Sequence, residues 1–280
     1  MIHLEAKKSL GQNFLVDPKI HARIVACIAP KPDDVMIEIG PGTGLLTRQL
    51  LQSPLRKLLA FELDTRAIPE LRQEFQSEGE RFQVIEQDIL TVDLEGLAHV
   101  DAQKLRVAGN IPYYITSPIL FKLIDDRSVV RDATLLVQKE VSDRLVASPG
   151  TKAYGIPTVL ANFFGEVKPL FKVAAGSFRP VPRVDSMVIR IDFERGYFAR
   201  TGTTPPPGFD EPFFRKLVRG AFAMRRKTLR NNLKSLLSLE ALEGLENSES
   251  GKNFLELRAE ALTTADFVQL SSLIRLSSST

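Results

Sequence analysis

Long apolar runs, paired cysteines and clustered histidines are all missing from these 280 residues. No stretch approaches the roughly 20 apolar residues that a transmembrane helix needs. The opening Met1-Ile2-His3-Leu4-Glu5-Ala6-Lys7-Lys8 has no apolar signal-peptide core. A soluble, cytoplasmic protein without a membrane partner is expected. The single cysteine, Cys27, cannot form an internal disulfide, which fits a reducing compartment, and its place on an apolar helical pattern marks it as core. His3, His21 and His99 have no ligand spacing around them, so no metal site is expected. Net charge is small as well, at +3, but it is unevenly spread. Arg215, Lys216, Arg219, Arg225, Arg226, Lys227, Arg230 and Lys234 are eight cations in a stretch without an acid, and subtracting them from +3 leaves −5 elsewhere. A mildly acidic body with one basic element is the asymmetry of a polyanion-binding face. The alternative is a helical domain with a solvated cationic side.

Apolar runs recur at Val35 to Ile39, Leu58 to Phe61, Phe82 to Ile85, Leu105 to Ala108 and Ala133 to Val137, with amphipathic stretches between them. This predicts βαβ units and a mostly parallel sheet, an α/β fold. Glu166 to Phe171 and Ser186 to Phe193 read as further strands, paired as an antiparallel hairpin at the sheet edge. The segment 201–208, Thr-Gly-Thr-Thr-Pro-Pro-Pro-Gly, suits neither helix nor central strand. It is taken as a linker between an α/β domain at 1–200 and a small all-α domain at 209–280, where Leu217, Val218, Ala221, Phe222, Leu229 and Leu233 recur at helical spacing.

The first strand runs into Gly40-Pro41-Gly42-Thr43-Gly44. Glycines at a strand-to-helix turn let a ligand lie against backbone. A dinucleotide fold would place its third glycine where Leu45 stands, so the spacing suits a smaller nucleoside. Glu62 ends the second strand, 22 residues after Gly40, where an acid can bond ribose hydroxyls. Asp88 ends the third and is placed to accept from an adenine amino group. Asn110-Ile111-Pro112-Tyr113 ends the fourth. An amide, a proline-shaped turn and an aromatic ring suit the amino group of a flat base, because an acceptor for its N–H protons pushes the delocalised lone pair back onto nitrogen. Pro112 lacks an N–H and biases Ile111 away from helix, which aims backbone carbonyls at the same group, and Tyr113 can stack on the base. Ordinary turn chemistry with a core aromatic is the other reading. Near the start, Lys7-Lys8-Ser9-Leu10-Gly11-Gln12-Asn13-Phe14-Leu15 precedes a helix capped by Asp17 with Pro18 at its first position; its lysines can meet phosphate, or the arm can simply pack through Phe14 and Leu15.

Together with Phe178-Arg179-Pro180-Val181-Pro182-Arg183-Val184-Asp185-Ser186 and Phe222-Ala223-Met224-Arg225-Arg226-Lys227-Thr228-Leu229-Arg230-Asn231-Asn232-Leu233, these motifs give the chain its family likeness. From about residue 7 to 270 it resembles the ribosomal RNA adenine dimethyltransferases. The resemblance implies a Rossmann-like, S-adenosylmethionine-dependent methyltransferase domain followed by the helical one. It implies N6,N6-dimethylation of two adjacent adenosines near the 3′ end of small-subunit rRNA, on a ribosomal precursor particle, by a monomer. Carried over by position, Asn13, Leu15, Gly40, Gly42, Glu62, Asp88 and Asn110 would touch the cofactor. Asn110, Pro112 and Tyr113 would hold the target adenine, with Phe178 as the second ring across it. Lys7, Lys8, Arg219, Arg225, Arg226, Lys227 and Arg230 would meet RNA, the later ones from a basic helix. Ile111 stands where the family often has Leu. Two rivals share much of this pattern: a large-subunit rRNA adenine methyltransferase of the antibiotic-resistance type, and a non-enzymatic assembly or transcription factor.

Overall fold

The apolar runs form strands, and the amphipathic stretches between them form helices. In the computed structural model, which describes residues 4–7, 10–101 and 103–277, β1 (Phe14–Leu15) precedes β2 (Val35–Ile39), β3 (Lys57–Glu62), β4 (Phe82–Glu86), β5 (Leu105–Asn110) and β6 (Val130–Gln138). Then come β7 (Glu166–Val173), β8 (Phe178–Arg179) and β9 (Ser186–Asp192). One seven-stranded sheet has the order β4-β3-β2-β5-β6-β9-β7, while β1 pairs with β8 separately. The pairs β2–β3, β3–β4, β2–β5 and β5–β6 are parallel, and β9 runs antiparallel to β6. The mostly parallel sheet and the adjacency of β7 and β9 at its edge agree with the sequence pattern. The two-residue β1 and β8 left no alternation to detect.

Between the strands lie α1 (Pro18–Ile28), α2 (Leu45–Leu51), α3 (Ala67–Glu74), α4 (Leu94–Asp101) and α5 (Thr116–Asp125). The side chain of Asp17 accepts the Lys19 N–H at 2.9 Å and Pro18 opens α1, so the expected cap is present. Ile24, Ile28, Leu46, Leu50, Ile68 and Leu71 from the first three helices pack on Met36, Leu58, Ala60 and Ala108 of the sheet. Ile37, Leu59 and Val107, adjacent to these in their strands and so on the opposite face, are buried as well. Strands covered on both faces read as continuous apolar runs rather than alternating ones.

Packing divides the chain into two units, and the division differs from the expected one. The first unit comprises the described residues to Ser142 with Val167–Glu194; the second comprises Asp143–Glu166 with those from Arg195 onward. The chain crosses within α6 (Lys139–Leu145). The 201–208 segment is therefore not the boundary. The reason is a cluster of rings from distant parts of the sequence: Phe163 stands 4.2 Å from Phe214, 5.6 Å from Phe198 and 5.7 Å from Phe209 between centroids. Tyr154 adds a hydrogen bond to the Leu262 carbonyl at 2.7 Å. The helices of this unit are α7 (Ile156–Phe164), α8 (Tyr197–Thr201), α9 (Glu211–Ala221), α10 (Leu229–Leu233), α11 (Leu239–Asn247), α12 (Glu249–Glu256) and α13 (Thr264–Ser277). No helix among the described residues is long and apolar enough to cross a membrane.

One strand residue breaks the apolar rule. Arg106, in β5, is only 2% exposed. Its guanidinium donates to Asp34 at 2.7 Å and to both oxygens of Asp132 at 2.9 Å, with the Ile28 carbonyl at 2.7 Å. Arg131 and Arg190 reach the same two carboxylates at 2.7 and 2.6 Å. Removing Arg106 strips each buried carboxylate of its most buried partner, leaving Asp34 to Arg131 and Asp132 to Arg190, both partly exposed. Arg106→Ala is expected to lower unfolding free energy by about 3–5 kcal/mol, measured by urea denaturation; a loss below about 1 kcal/mol would show that water or relaxation replaces the guanidinium.

Candidate active site

Because β3, β2 and β5 are neighbours, the residues that end them stand in a row. The sheet order turns around between β2 and β5, the place where open α/β sheets bind ligands. Glu62 ends β3, Gly40 follows β2 and Asn110 ends β5. All three line one cleft, together with Asn13, Gly42, Ile111, Pro112 and Tyr113. Phe14, Phe61, Leu63, Gln87, Ile89 and Tyr114 complete most of its wall. Counting the solvent at its mouth, the cleft encloses about 770 Å³.

The glycine turn is shaped by this arrangement. Gly42 has φ +52°, and a Cβ there would sit 2.9 Å from the Phe14 ring. Any side chain would be strained and would push the N-terminal arm off the turn. The Gly42 N–H donates to Glu62 Oε2 at 3.0 Å, and the Leu63 and Asp64 N–H groups donate to Oε1 at 2.8 Å. Three main-chain donors thus fix a carboxylate at the cleft wall, and charge-assisted bonds of this kind are among the stronger ones. Leu63, 45% exposed, sets an apolar surface beside it.

Beneath the turn lies a second acid that sequence spacing gave no reason to separate from the motif. Glu38 is buried in β2 and accepts from the Thr47 hydroxyl at 2.7 Å. Burial, reinforced by the negative charge of Glu62, pushes its pKa up to about 8 despite the Thr47 bond. It is therefore protonated at neutral pH, which lets two acids share one turn without two charges.

Asn110 is oriented by the arm. Its Nδ2 donates to the Asn13 carbonyl at 2.9 Å, which leaves Oδ1 as an acceptor at the cleft; the opposite rotamer would set two oxygens against each other. Tyr113 is fixed by a 3.1 Å hydrogen bond between its hydroxyl and the buried Ser186 Oγ. Pro112 has φ −55° and ψ 134°. Its carbonyl takes the Ile115 N–H at 3.2 Å and the Thr116 hydroxyl at 3.3 Å, so it is spent within the turn.

Several expected residues sit elsewhere. Phe178 is 0% exposed, paired with Leu15 across β1–β8 and packed in the core, so it does not face Tyr113 across the cleft. Leu15 is buried too, and its carbonyl bonds His21 Nε2 at 3.0 Å. Asp88 turns back to accept the Leu90 N–H at 2.9 Å, while its neighbours Gln87 and Ile89 line the cleft. Lys7 lies 3.4 Å from Asp64 in an ion pair. Lys8 lies outside the described residues.

Over residues 3–274 the chain matches the family described as ribosomal RNA adenine dimethylase. It belongs to that family. The proteins named ribosomal RNA small subunit methyltransferase A from Chlorobium chlorochromatii and Geobacter metallireducens are 43% and 44% identical to it, spanning 98% and 96% of this chain and 95% of each relative. A crystal structure of a dimethyladenosine transferase from Plasmodium falciparum is 27% identical with a TM-score of 0.73, over 92% of this chain and 95% of that one. The 23S rRNA methyltransferase ErmE, 24% identical with a TM-score of 0.65 over 94% of this chain and 99% of its own, shares the fold.

In this dimethylase the basic block is not one helix. Arg225, Arg226 and Lys227 occupy the turn between α9 and α10. The buried Asn232 holds that turn, accepting the Met224 N–H at 3.1 Å and donating to the Ala221 and Met224 carbonyls at 2.6 and 3.1 Å. The acids absent from the block arrive from later helices: Glu260 lies 3.2 Å from Arg225 and Glu246 2.5 Å from Arg230. Arg219, Arg226 and Lys227 are exposed.

Glu38 gives the dimethylase a pH dependence. Its folded pKa, about 8, exceeds the ordinary carboxyl value of 4.5, so folding takes up a proton between those values. Its contribution is full below pH 4.5 and is lost as pH rises through about 8. Glu38→Gln is expected to flatten the stability decline over that range and to gain a few kcal/mol, in order of magnitude, above pH 8. Thermal unfolding from pH 5 to 9 checks it; parallel curves for both proteins would place an ionised Glu38 in the folded state.

Proposed function

We propose that this chain transfers methyl groups from S-adenosylmethionine to the N6 atoms of two adjacent adenosines near the 3′ end of small-subunit rRNA. The observation that carries the reading is the Asn110 amide, tied through Nδ2 to Asn13 and leaving its oxygen at the carboxyl edge of the sheet. The lining fits the cofactor. Glu62 presents a fixed carboxylate for ribose hydroxyls, and Gly40 and Gly42 let a ligand approach backbone. Leu63 and Ile89 offer an apolar surface to its base, and Asn13 and Asn110 close the methionine side. When bound, it supplies a methyl group on a cationic sulfur, already a good leaving group.

The protein's own task is then orientation. The target base leaves its stack and lies on the Tyr113 ring, whose hydroxyl is held by Ser186. Asn110 Oδ1 accepts a hydrogen bond from one amine N–H and so restores lone-pair density to N6. With the Pro112 carbonyl spent in its own turn, the second acceptor is the Ile111 carbonyl. No strong base is needed, since the alkylated amine is acidic enough to release its proton to water; an amide therefore serves where a carboxylate might be looked for, and catalysis rests on positioning. The arginines and lysine exposed around 219–227 contact phosphate. The enzyme works as a cytoplasmic monomer on a small-subunit particle.

Two results test this. Asn110→Ala should cut single-turnover transfer to small-subunit rRNA by about a hundredfold or more, with a smaller change in cofactor affinity; undiminished transfer would remove Asn110 from the chemistry. Reversing Arg226 and Lys227 to Glu should weaken rRNA binding and flatten the slope of log K against log salt by about 1.5. An unchanged slope would take that turn out of the interface.

A further inference from the structure

Asp64 is 1% exposed, two residues beyond Glu62, yet it does not line the cleft. Its bonds run to the N-terminal arm. Oδ2 accepts Gln12 Nε2 at 3.0 Å and Arg66 Nη2 at 2.6 Å, and Oδ1 accepts Arg66 Nε at 2.9 Å and Lys7 Nζ at 3.4 Å. Arg66 also donates to the Glu5 carbonyl at 3.0 Å, and the Lys7 N–H donates to Gln12 Oε1 at 2.8 Å. One buried carboxylate therefore gathers three points of the arm to the end of β3. The hydrogen bonds from Arg66 hold it well below the usual carboxylate range, so the anchor stays ionised.

The arm's apolar contacts cannot do the same work. After Asn13 the arm is held by the β1–β8 pairing and by the Leu15 carbonyl on His21; before Asn13, apolar contact alone is non-directional and would leave the chain free to slide. Hydrogen bonds are directional. Register matters because the residue after Gln12 is Asn13, whose carbonyl holds the Asn110 amide at 2.9 Å. A shift of the arm would move that carbonyl and release the amide to rotate.

We propose that Asp64, acting through Gln12, is a positioning residue for methyl transfer: it sets the register in which the Asn13 carbonyl keeps the Asn110 oxygen toward the target amine. This rests on the reading of Asn110 given above. A tenfold or greater fall in kcat is the expected scale for such a displacement.

The test is a double-mutant cycle on the full-length protein, with single-turnover transfer to small-subunit rRNA and S-adenosylmethionine affinity measured separately. Gln12→Leu should lower the transfer rate by about tenfold with a smaller effect on cofactor affinity, and it should cost nothing further when Asn110 is already Ala. An independent arm exchanges donor and acceptor. Gln12→Glu alone sets two carboxylates together and should lose activity, while Gln12→Glu with Asp64→Asn restores one donor and one acceptor between the two, at the cost of the Arg66 bond to the same atom, and should recover part of the rate. Loss of the same factor in both Asn110 backgrounds, or failure of the exchange to recover any rate in a folded protein, overturns the proposal. An unimpaired Gln12→Leu beside an inactive Asn110→Ala overturns it while leaving Asn110 in place; full activity in Asn110→Ala overturns the reading beneath it.

Discussion

Strands buried on both faces can carry polar groups only where a partner takes up their bonds. The central strands β3, β2 and β5 are under that constraint, and the two ends of the sheet meet it in opposite ways. Near the start of β5, Arg106 sits among carboxylates and carbonyls that take up its donors. At the carboxyl ends, Glu62 and Asn110 are held just as firmly, but each is held from one side. Glu62 is gripped by main-chain donors and Asn110 by one carbonyl, and both still line open space. The first arrangement gives stability and the second gives a site.

The open end depends on a segment outside the sheet. The arm's Phe14 ring occupies the place a Gly42 side chain would take, its Asn13 carbonyl turns Asn110, and Asp64 fastens it to the end of β3. Gly11 shows the same economy at the rim: with φ +57°, it brings backbone against the Tyr114 ring, where a Cβ would lie 2.8 Å away. Protonation of Glu38 completes the arrangement, since an ionised Glu38 beside the Glu62 carboxylate would place two buried negative charges under one glycine turn. The cleft is thus built from pieces whose positions fix one another before any ligand arrives.

What could be read in advance was whatever is local. Apolar runs gave the strands, Asp17-Pro18 gave the start of α1, and the glycines with Glu62 and Asn110 marked the carboxyl edge, because each signal lies within a few residues. Apart from Asp88, which caps its own turn through the Leu90 N–H, the failures involve partners far apart in sequence. Nothing near Arg225 or Arg230 announces Glu260 or Glu246, and nothing in 143–166 announces that Phe163 will meet Phe214. Gln12 and Asp64, 52 residues apart, belong to motifs that were visible separately, but their bond was not. Phe178 was assigned by position in a motif, which fixes where a backbone runs and not which way a side chain faces; here strand pairing with Leu15 turns it into the core.

The central claim, that this edge binds an adenine amine of small-subunit rRNA and methylates it twice, is tested most directly by locating the product. Small-subunit rRNA incubated with the protein and S-adenosylmethionine, cut into fragments and weighed by mass spectrometry, should carry two adjacent N6,N6-dimethyladenosines in its 3′-terminal fragment and none elsewhere. Methyl groups on a large-subunit fragment, or none on any fragment, would contradict it.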